Sequence, residues 1–211
     1  MPAVAFHRLA ATLRKGPPAP VWYLHGSETI LKDEALHTLV DIILDPSLRD
    51  FNLDLLTAQQ LDPDQLAAAC STLPMMAERR VVVLRDVENW KRKSKAKQAA
   101  VEYVKNPAPD TVLVMVQGND DDPDADFAAH AAAVNCNALV RDALDEWLDR
   151  QLAAADVRLA SDAREHLIRA TNGELGPIAA EIGKLAGLGG GDAIGIDTVS
   201  GLIGVRHGET V

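Results

Sequence analysis

The alternation of apolar and polar positions gives this chain two textures. In the first, short apolar runs without alternation are separated by amphipathic segments. The runs predict strands at Val21–Leu24, near Asn52–Thr57, at Arg80–Leu84 and at Thr111–Val116, with a fainter fifth near Ala138–Val140. Helical spacing predicts helices over Ile30–Leu44, Asp64–Thr72, Lys95–Val104 and Phe127–Val134. At the N-terminus, Phe6, Leu9, Ala10 and Leu13 share a helix face. Continuously apolar strands alternating with helices imply a parallel sheet covered on both faces. After Val140 the strand signals stop. Helices are expected near Leu144–Ala155, Asp162–Thr171 and Leu175–Leu188, then a Gly189-Gly190-Gly191 turn and a short helix from Asp197 to Ile203. The expected organisation is an α/β domain over residues 1–140 and a small helical domain over residues 141–211.

Composition narrows the class. The chain is 47% hydrophobic but 4% aromatic, so its core is mainly aliphatic. No apolar run approaches the roughly 20 residues that span a bilayer. His7, Arg8, Arg14 and Lys15 interrupt any signal-peptide pattern, so no membrane partner is expected. Two cysteines, Cys70 and Cys136, give no disulfide framework and fit a reducing cytoplasm. A net charge of −10 argues against coating nucleic acid through overall charge, while leaving room for a local basic patch.

The stretch "VWYLHGSETILKDEAL" runs from strand through loop to helix, as a phosphate-binding loop does. The pattern G-x-x-x-x-G-K-[ST] would set Gly-Lys-Ser/Thr at positions 31–33. Gly26 and Lys32 fit it. Leu31 puts a branched side chain where backbone must approach phosphate, and it joins Ala35, Leu39 and Ile43 in a core-facing stripe. Asp33 replaces the hydroxyl; a carboxylate about 4 Å from a phosphate charge is repelled by roughly 4 kcal/mol at an effective dielectric near 20. Glu28, Asp33 and Glu34 already place negative charge at the helix start. The strand "RVVVLRDVE" ends in Arg85-Asp86 followed by Val87, where a magnesium-holding Asp-Glu pair would stand. No cofactor and no catalytic residue are expected. The opposing reading, an NTPase with an unusual loop, rests on Lys32.

Three other stretches carry chemistry or imitate it. In "STLPMMAERR", Pro74 disfavours helix at Leu73, so Met75 and Met76 fall in a short connector. There, Leu73, Met75 and Met76 either plug the gap between helix and strand or form an exposed docking element. "WKRKSKAK" sets Lys91, Arg92, Lys93, Lys95 and Lys97 beside Trp90, either as a solvated helix start or as a contact for DNA phosphates or another protein. "NDDDPDADFAAH" imitates a calcium loop, but Ala125 and Ala131 occupy the positions that need Gly and Glu. An acidic loop with Asp124 or Asp126 capping the next helix is expected instead. The histidines show no metal spacing, and no metal site is expected.

Taken in order, "VWYLHGSETILKDEAL", "FNLDLLTAQQLDPDQLAAACSTLPMMAERRVVVLRDVE", "VKNPAPDTVLVMVQG" and "LIRATNGELGPIAAEIGKLA" resemble the delta subunit of the bacterial DNA polymerase III clamp loader. The resemblance extends over essentially the whole chain. It implies an AAA+-like first domain with a degenerate phosphate loop, then a helical lid-like domain. It also implies a subunit that opens the sliding clamp (the beta subunit) without hydrolysing ATP, within an assembly having DNA-directed DNA polymerase activity. Other clamp-loader subunits and primed DNA follow as implied partners. In lids of that kind a "GDxR" segment supplies an arginine to nucleotide; here "GELG" places Gly176 there. The resemblance makes Met75 and Met76 the clamp wedge, with Leu73 serving wedge or core. The family commonly has Leu-Phe at that pair, so two methionines are a departure. The collar domain of the family would begin where this chain stops. A DNA-binding scaffold without clamp contact is the remaining alternative.

Overall fold

A computed structural model describes residues 4–91, 93–188 and 192–204. Two compact units result, Met1–Asn137 and Ala138–Val211. The first runs β1 (Val4–Ala5), α1 (Leu9–Leu13), β2 (Val21–His25), α2 (Thr29–Ile43), α3 (Arg49–Asn52), β3 (Leu53–Thr57) and α4 (Pro63–Ser71). It continues through β4 (Arg80–Arg85), α5 (Lys95–Lys105), β5 (Thr111–Val116), α6 (Ala125–His130) and β6 (Ala132–Asn135). The six strands form one sheet in the order β1-β6-β2-β5-β4-β3. Every pairing is parallel.

The apolar runs end up where water is excluded on both faces. All six residues of β5 are buried. Tyr23, Val82, Leu84, Leu113 and Met115 pack on one face against Leu66, Cys70, Ala100, Val104 and Phe127 from α4, α5 and α6. Alternate residues such as Trp22, Leu24, Val81 and Val83 are equally buried and point the other way, toward the side of α2. Edge strand β3 is only half covered, and Leu55 is exposed there.

Two expected elements move. The helix over Phe127–Val134 stops at His130, where Ala131 turns extended with ψ 159°. The next four residues become β6, with Trp22 opposite Ala132 and Leu24 opposite Val134. Alanines favour helix locally, but a slot in the sheet between β2 and β1 outweighs that preference. The strand expected at Ala138–Val140 is therefore absent, and Val140 is exposed. Strand β1 was not anticipated; two residues carry no periodicity.

The second unit contains α7 (Asp142–Ala154), α8 (Ser161–Ala170), α9 (Leu175–Ala186) and α10 (Ile196–Gly204). Its core is Leu144, Trp147, Leu148, Leu167, Ile178, Ile182, Leu185 and Val199. The turn expected at Gly189–Gly191 lies outside the described residues. Among the described residues, no helix is long and apolar enough to cross a membrane.

Candidate functional site

Two loops at opposite edges of the parallel sheet carry the residues singled out above. At the carboxyl edge, where open α/β sheets usually hold ligands, β2 runs into Gly26. Its φ of 126° is open to glycine, and a Cβ there would lie 2.5 Å from the Cys136 carbonyl carbon, so no other residue fits. The loop beyond is tied to the segment after β6: Ser27 donates its N–H to Asn137 Oδ1 at 3.2 Å, and Glu28 donates to the Cys136 carbonyl at 2.9 Å. Leu31 is fully buried.

Lys32 is 2% exposed. Its ammonium donates to the carbonyls of Gln117 at 2.9 Å, Gly118 at 3.0 Å and Asn119 at 3.4 Å, using its three hydrogens. Burial pushes its pKa below the usual lysine range, opposed by Cys136, Glu88, Asp120 and Asp33. The loop that receives it is fixed in turn. Gln117 accepts the Tyr23 hydroxyl and donates to the Asp121 carbonyl, while Glu88 accepts the Gly118 N–H at 2.8 Å. Asp33 pairs with Arg85 at 2.9 Å rather than facing the loop alone. The Ser27 and Glu28 N–H groups and the Lys32 ammonium are thus each engaged by the protein itself.

At the amino edge, α4 starts with a capping box in which Asp62 and Gln65 bond each other's backbone N–H. It ends at Thr72, whose ψ of 129° leaves the helix ahead of Pro74. Leu73, Met75 and Met76 follow, with exposures of 74%, 52% and 76%. Their backbone is nonetheless fixed. The side chain of Asn52, itself fully buried, accepts the Met75 N–H at 2.7 Å and donates to the Met75 carbonyl at 2.9 Å. It thereby imitates one rung of a β-ladder. The buried Arg80 guanidinium reaches the carbonyls of Thr72 and Leu73 and pairs with Asp54. Met76 sits in the left-handed region at φ 54°. The result is a held backbone carrying three exposed apolar side chains.

Asn52, Arg80 and Asp54 were not singled out from the sequence, because the bonds by which they hold the loop and each other span 7 to 26 positions. Phe51 and Leu55 were missed as well. They are 55% and 68% exposed, on the segment that holds the Met75 backbone. The sequence carried no signal for them, since the exposure of Phe51 and the burial of Asn52 are legible only in the fold.

The basic cluster is dispersed. Lys97 pairs with Asp124 and lies 5.7 Å from the Phe127 ring centre, drawn into the acidic loop. Trp90 is buried, donating its indole N–H to the Ala58 carbonyl at 2.6 Å, so it offers no stacking face. Lys91, Lys93 and Lys95 are exposed, and Arg92 lies outside the described residues. Asp124 caps α6 by accepting the Asp126 N–H at 3.0 Å. A Cβ built on Gly176 meets nothing within 4 Å. Burial pushes the Cys70 thiol to about 11 and that of Cys136 to about 12, leaving both protonated at neutral pH. Among the described residues, no three His, Cys, Asp or Glu side chains are grouped to hold a metal ion.

The chain is similar to known proteins. A family model described as "DNA polymerase III, delta subunit" matches residues 22–132. The DNA polymerase III subunit delta of Bacillus subtilis (strain 168) is 28% identical over 204 residues, 91% of this chain and 59% of that protein. The solved structure of a Bacillus subtilis DNA clamp loader delta protein is 29% identical with a TM-score of 0.65, over 93% of this chain and 62% of that one. The Thermotoga maritima RuvB Holliday junction branch migration motor has a TM-score of 0.61 at 16% identity, over 93% of this chain and 64% of that one; this likeness concerns the fold alone. The chain spans about three fifths of the length of these relatives.

Proposed function

The chain belongs to the DNA polymerase III delta subunit family, and from that premise we propose that it binds and opens the sliding clamp with the loop after α4. The observation that carries this reading is the contrast between side chain and backbone at residues 73–76. Loops with a mobile backbone lose ordering entropy on binding; here Asn52 and Arg80 impose that order during folding. Burying each methionine in a partner pocket contributes about 1.5–3 kcal/mol before ordering costs. Methionine adapts to irregular apolar grooves, which suits the departure from Leu-Phe. Phe51 and Leu55 offer further apolar area on the neighbouring segment, with Phe51 supplying an aromatic anchor.

A left-handed conformation costs a side-chain-bearing residue of order 1–3 kcal/mol, and glycine would relieve it at Met76. A binding role accounts for keeping the methionine. Opening the ring then needs no chemistry in this chain: a surface that binds the open ring better than the closed one shifts that equilibrium by its differential affinity.

The first unit is read as an AAA+-like domain with a degenerate phosphate loop, in which Leu31, the committed Lys32 and the Asp33–Arg85 pair support non-hydrolytic function. The second unit is read as the lid-like domain, with Gly176 at the motif position where lids of that kind carry an arginine. Lys91, Lys93 and Lys95 remain for another loader subunit or a DNA backbone. Parallel calorimetric titrations of the chain with purified sliding clamp and with magnesium ATP test the proposal. Saturable binding of the clamp and no binding of ATP is the expected result. The reverse pattern restores the NTPase reading.

A further inference from the structure

Sulfur is distributed unevenly in this molecule. Cys70, Cys136 and Met115 are buried in the first unit, Cys136 and Met115 completely. Among the described residues, Met75 and Met76 are the sole sulfur-bearing side chains that water reaches freely. A peroxide oxidises a thioether where solvent delivers it, and it attacks cysteine as the thiolate. Burial keeps both thiols protonated at neutral pH, so neither competes with the two methionines for oxidant.

The loop is also built so that a change on these sulfurs leaves its fold intact. Asn52 bonds the Met75 N–H and carbonyl, and Arg80 bonds the carbonyls of Thr72 and Leu73. Each of these bonds ends on a backbone atom of the loop, and none uses a methionine side chain. Leucine or phenylalanine would offer comparable apolar area without an oxidisable atom.

We infer that Met75 and Met76 are a reversible modification site, at which peroxide converts both thioethers to sulfoxides and so releases the loop from its partner. The switch rests on the clamp role proposed for the loop. In the step, a sulfur lone pair attacks one peroxide oxygen. The S–O bond forms, the O–O bond breaks, and the departing hydroxide takes up a proton and leaves as water. Sulfur loses two electrons and the peroxide gains them. Methionine sulfoxide reductases supplied with a dithiol reverse it: the oxygen leaves as water and the dithiol becomes a disulfide. A sulfoxide oxygen is a strong hydrogen-bond acceptor. In the free chain it is solvated, so folding is little affected. In an apolar partner pocket it lacks a donor, so the cost falls on binding.

The test uses the whole 211-residue chain, treated with hydrogen peroxide and then with catalase before the clamp is added. Peptide mass mapping, melting temperature and clamp affinity are read on the same samples. Met75 and Met76 should each gain one oxygen at least tenfold faster than Met115, with little change in melting temperature. Clamp affinity should fall at least tenfold and return after treatment with reductases for both sulfoxide epimers plus dithiothreitol. The double variant Met75→Leu and Met76→Leu is compared only with itself, and peroxide should leave its affinity where it was. Met115→Leu should stay as sensitive as the unmodified chain. The inference is overturned if Met115 is oxidised as fast, if the oxidised chain binds the clamp as before, if the loss of binding only accompanies unfolding, or if the leucine double variant loses as much affinity to peroxide. A chain that does not bind the clamp before any peroxide is added sinks the clamp reading and the switch with it, a failure told apart because it precedes oxidation.

Discussion

The loops at the two edges of the first unit's sheet are built on opposite plans. At the carboxyl edge three donors are turned inward: the Ser27 and Glu28 N–H groups bond the segment after β6, and Lys32 donates to three carbonyls. At the amino edge the polar groups hold the backbone while the apolar side chains face solvent. In one loop these polar groups are used by the protein itself. The other has a hydrogen-bonded backbone and uncovered apolar side chains, which the proposed function assigns to a partner. The difference shows that a motif fragment is weaker guidance than the question of which groups remain unsatisfied after folding.

Lys32→Met breaks the comparison most severely. It leaves the carbonyls of residues 117–119 without their charged donor, so urea unfolding should show a loss of about 3 kcal/mol. A lysine held free for triphosphate would instead be dispensable for stability, and an unchanged midpoint would mean that. Next is Asn52→Ala, which removes the clasp on Met75. Stability should fall by about 2 kcal/mol, and clamp affinity should fall too although Asn52 is buried, because a loosened loop pays for ordering at binding. If clamp affinity is untouched, preorganisation is irrelevant there.

Phe51→Ala should weaken clamp binding by about 1 kcal/mol, roughly fivefold, while the melting temperature stays nearly fixed. A smaller effect concerns His25, at the end of β2. Burial, then the Lys32 charge, holds its imidazole below its ordinary value. Between that lowered value and about 6.5 the unfolded chain binds more protons than the folded one. His25 therefore contributes fully above about pH 6.5, and that contribution is lost as pH falls toward the folded value. His25→Gln should flatten this part of the stability profile; an unchanged slope would remove His25 as its source.

How much of this was legible in the sequence follows from which interactions are local. Val81–Leu84 and Val112–Val116 announced buried strands because they are apolar on both faces. Pro74 marked the end of α4, while its start, expected at Asp64, lies at Pro63 on an Asp62 cap. Residues 131–134 misled because alanine-rich helix propensity is local, whereas the slot beside β2 is created by residues more than a hundred positions away. The loop at Lys32 could be doubted from Leu31 and Asp33, but the three carbonyls engaging the lysine lie some 85 positions on. The short connector left Met75 and Met76 either plugging a gap or exposed, and the fold exposes them. The Asn52 clasp could not be read either, since nothing in "FN" specifies a partner 23 residues away.

The most direct test is the double substitution Met75→Ser and Met76→Ser, read by clamp affinity and melting temperature on the same samples. With both side chains already in water, the account predicts that clamp binding falls at least a hundredfold while melting shifts by no more than a few degrees. Clamp binding at the unmodified level would contradict it, as would a loss of binding that merely accompanies unfolding.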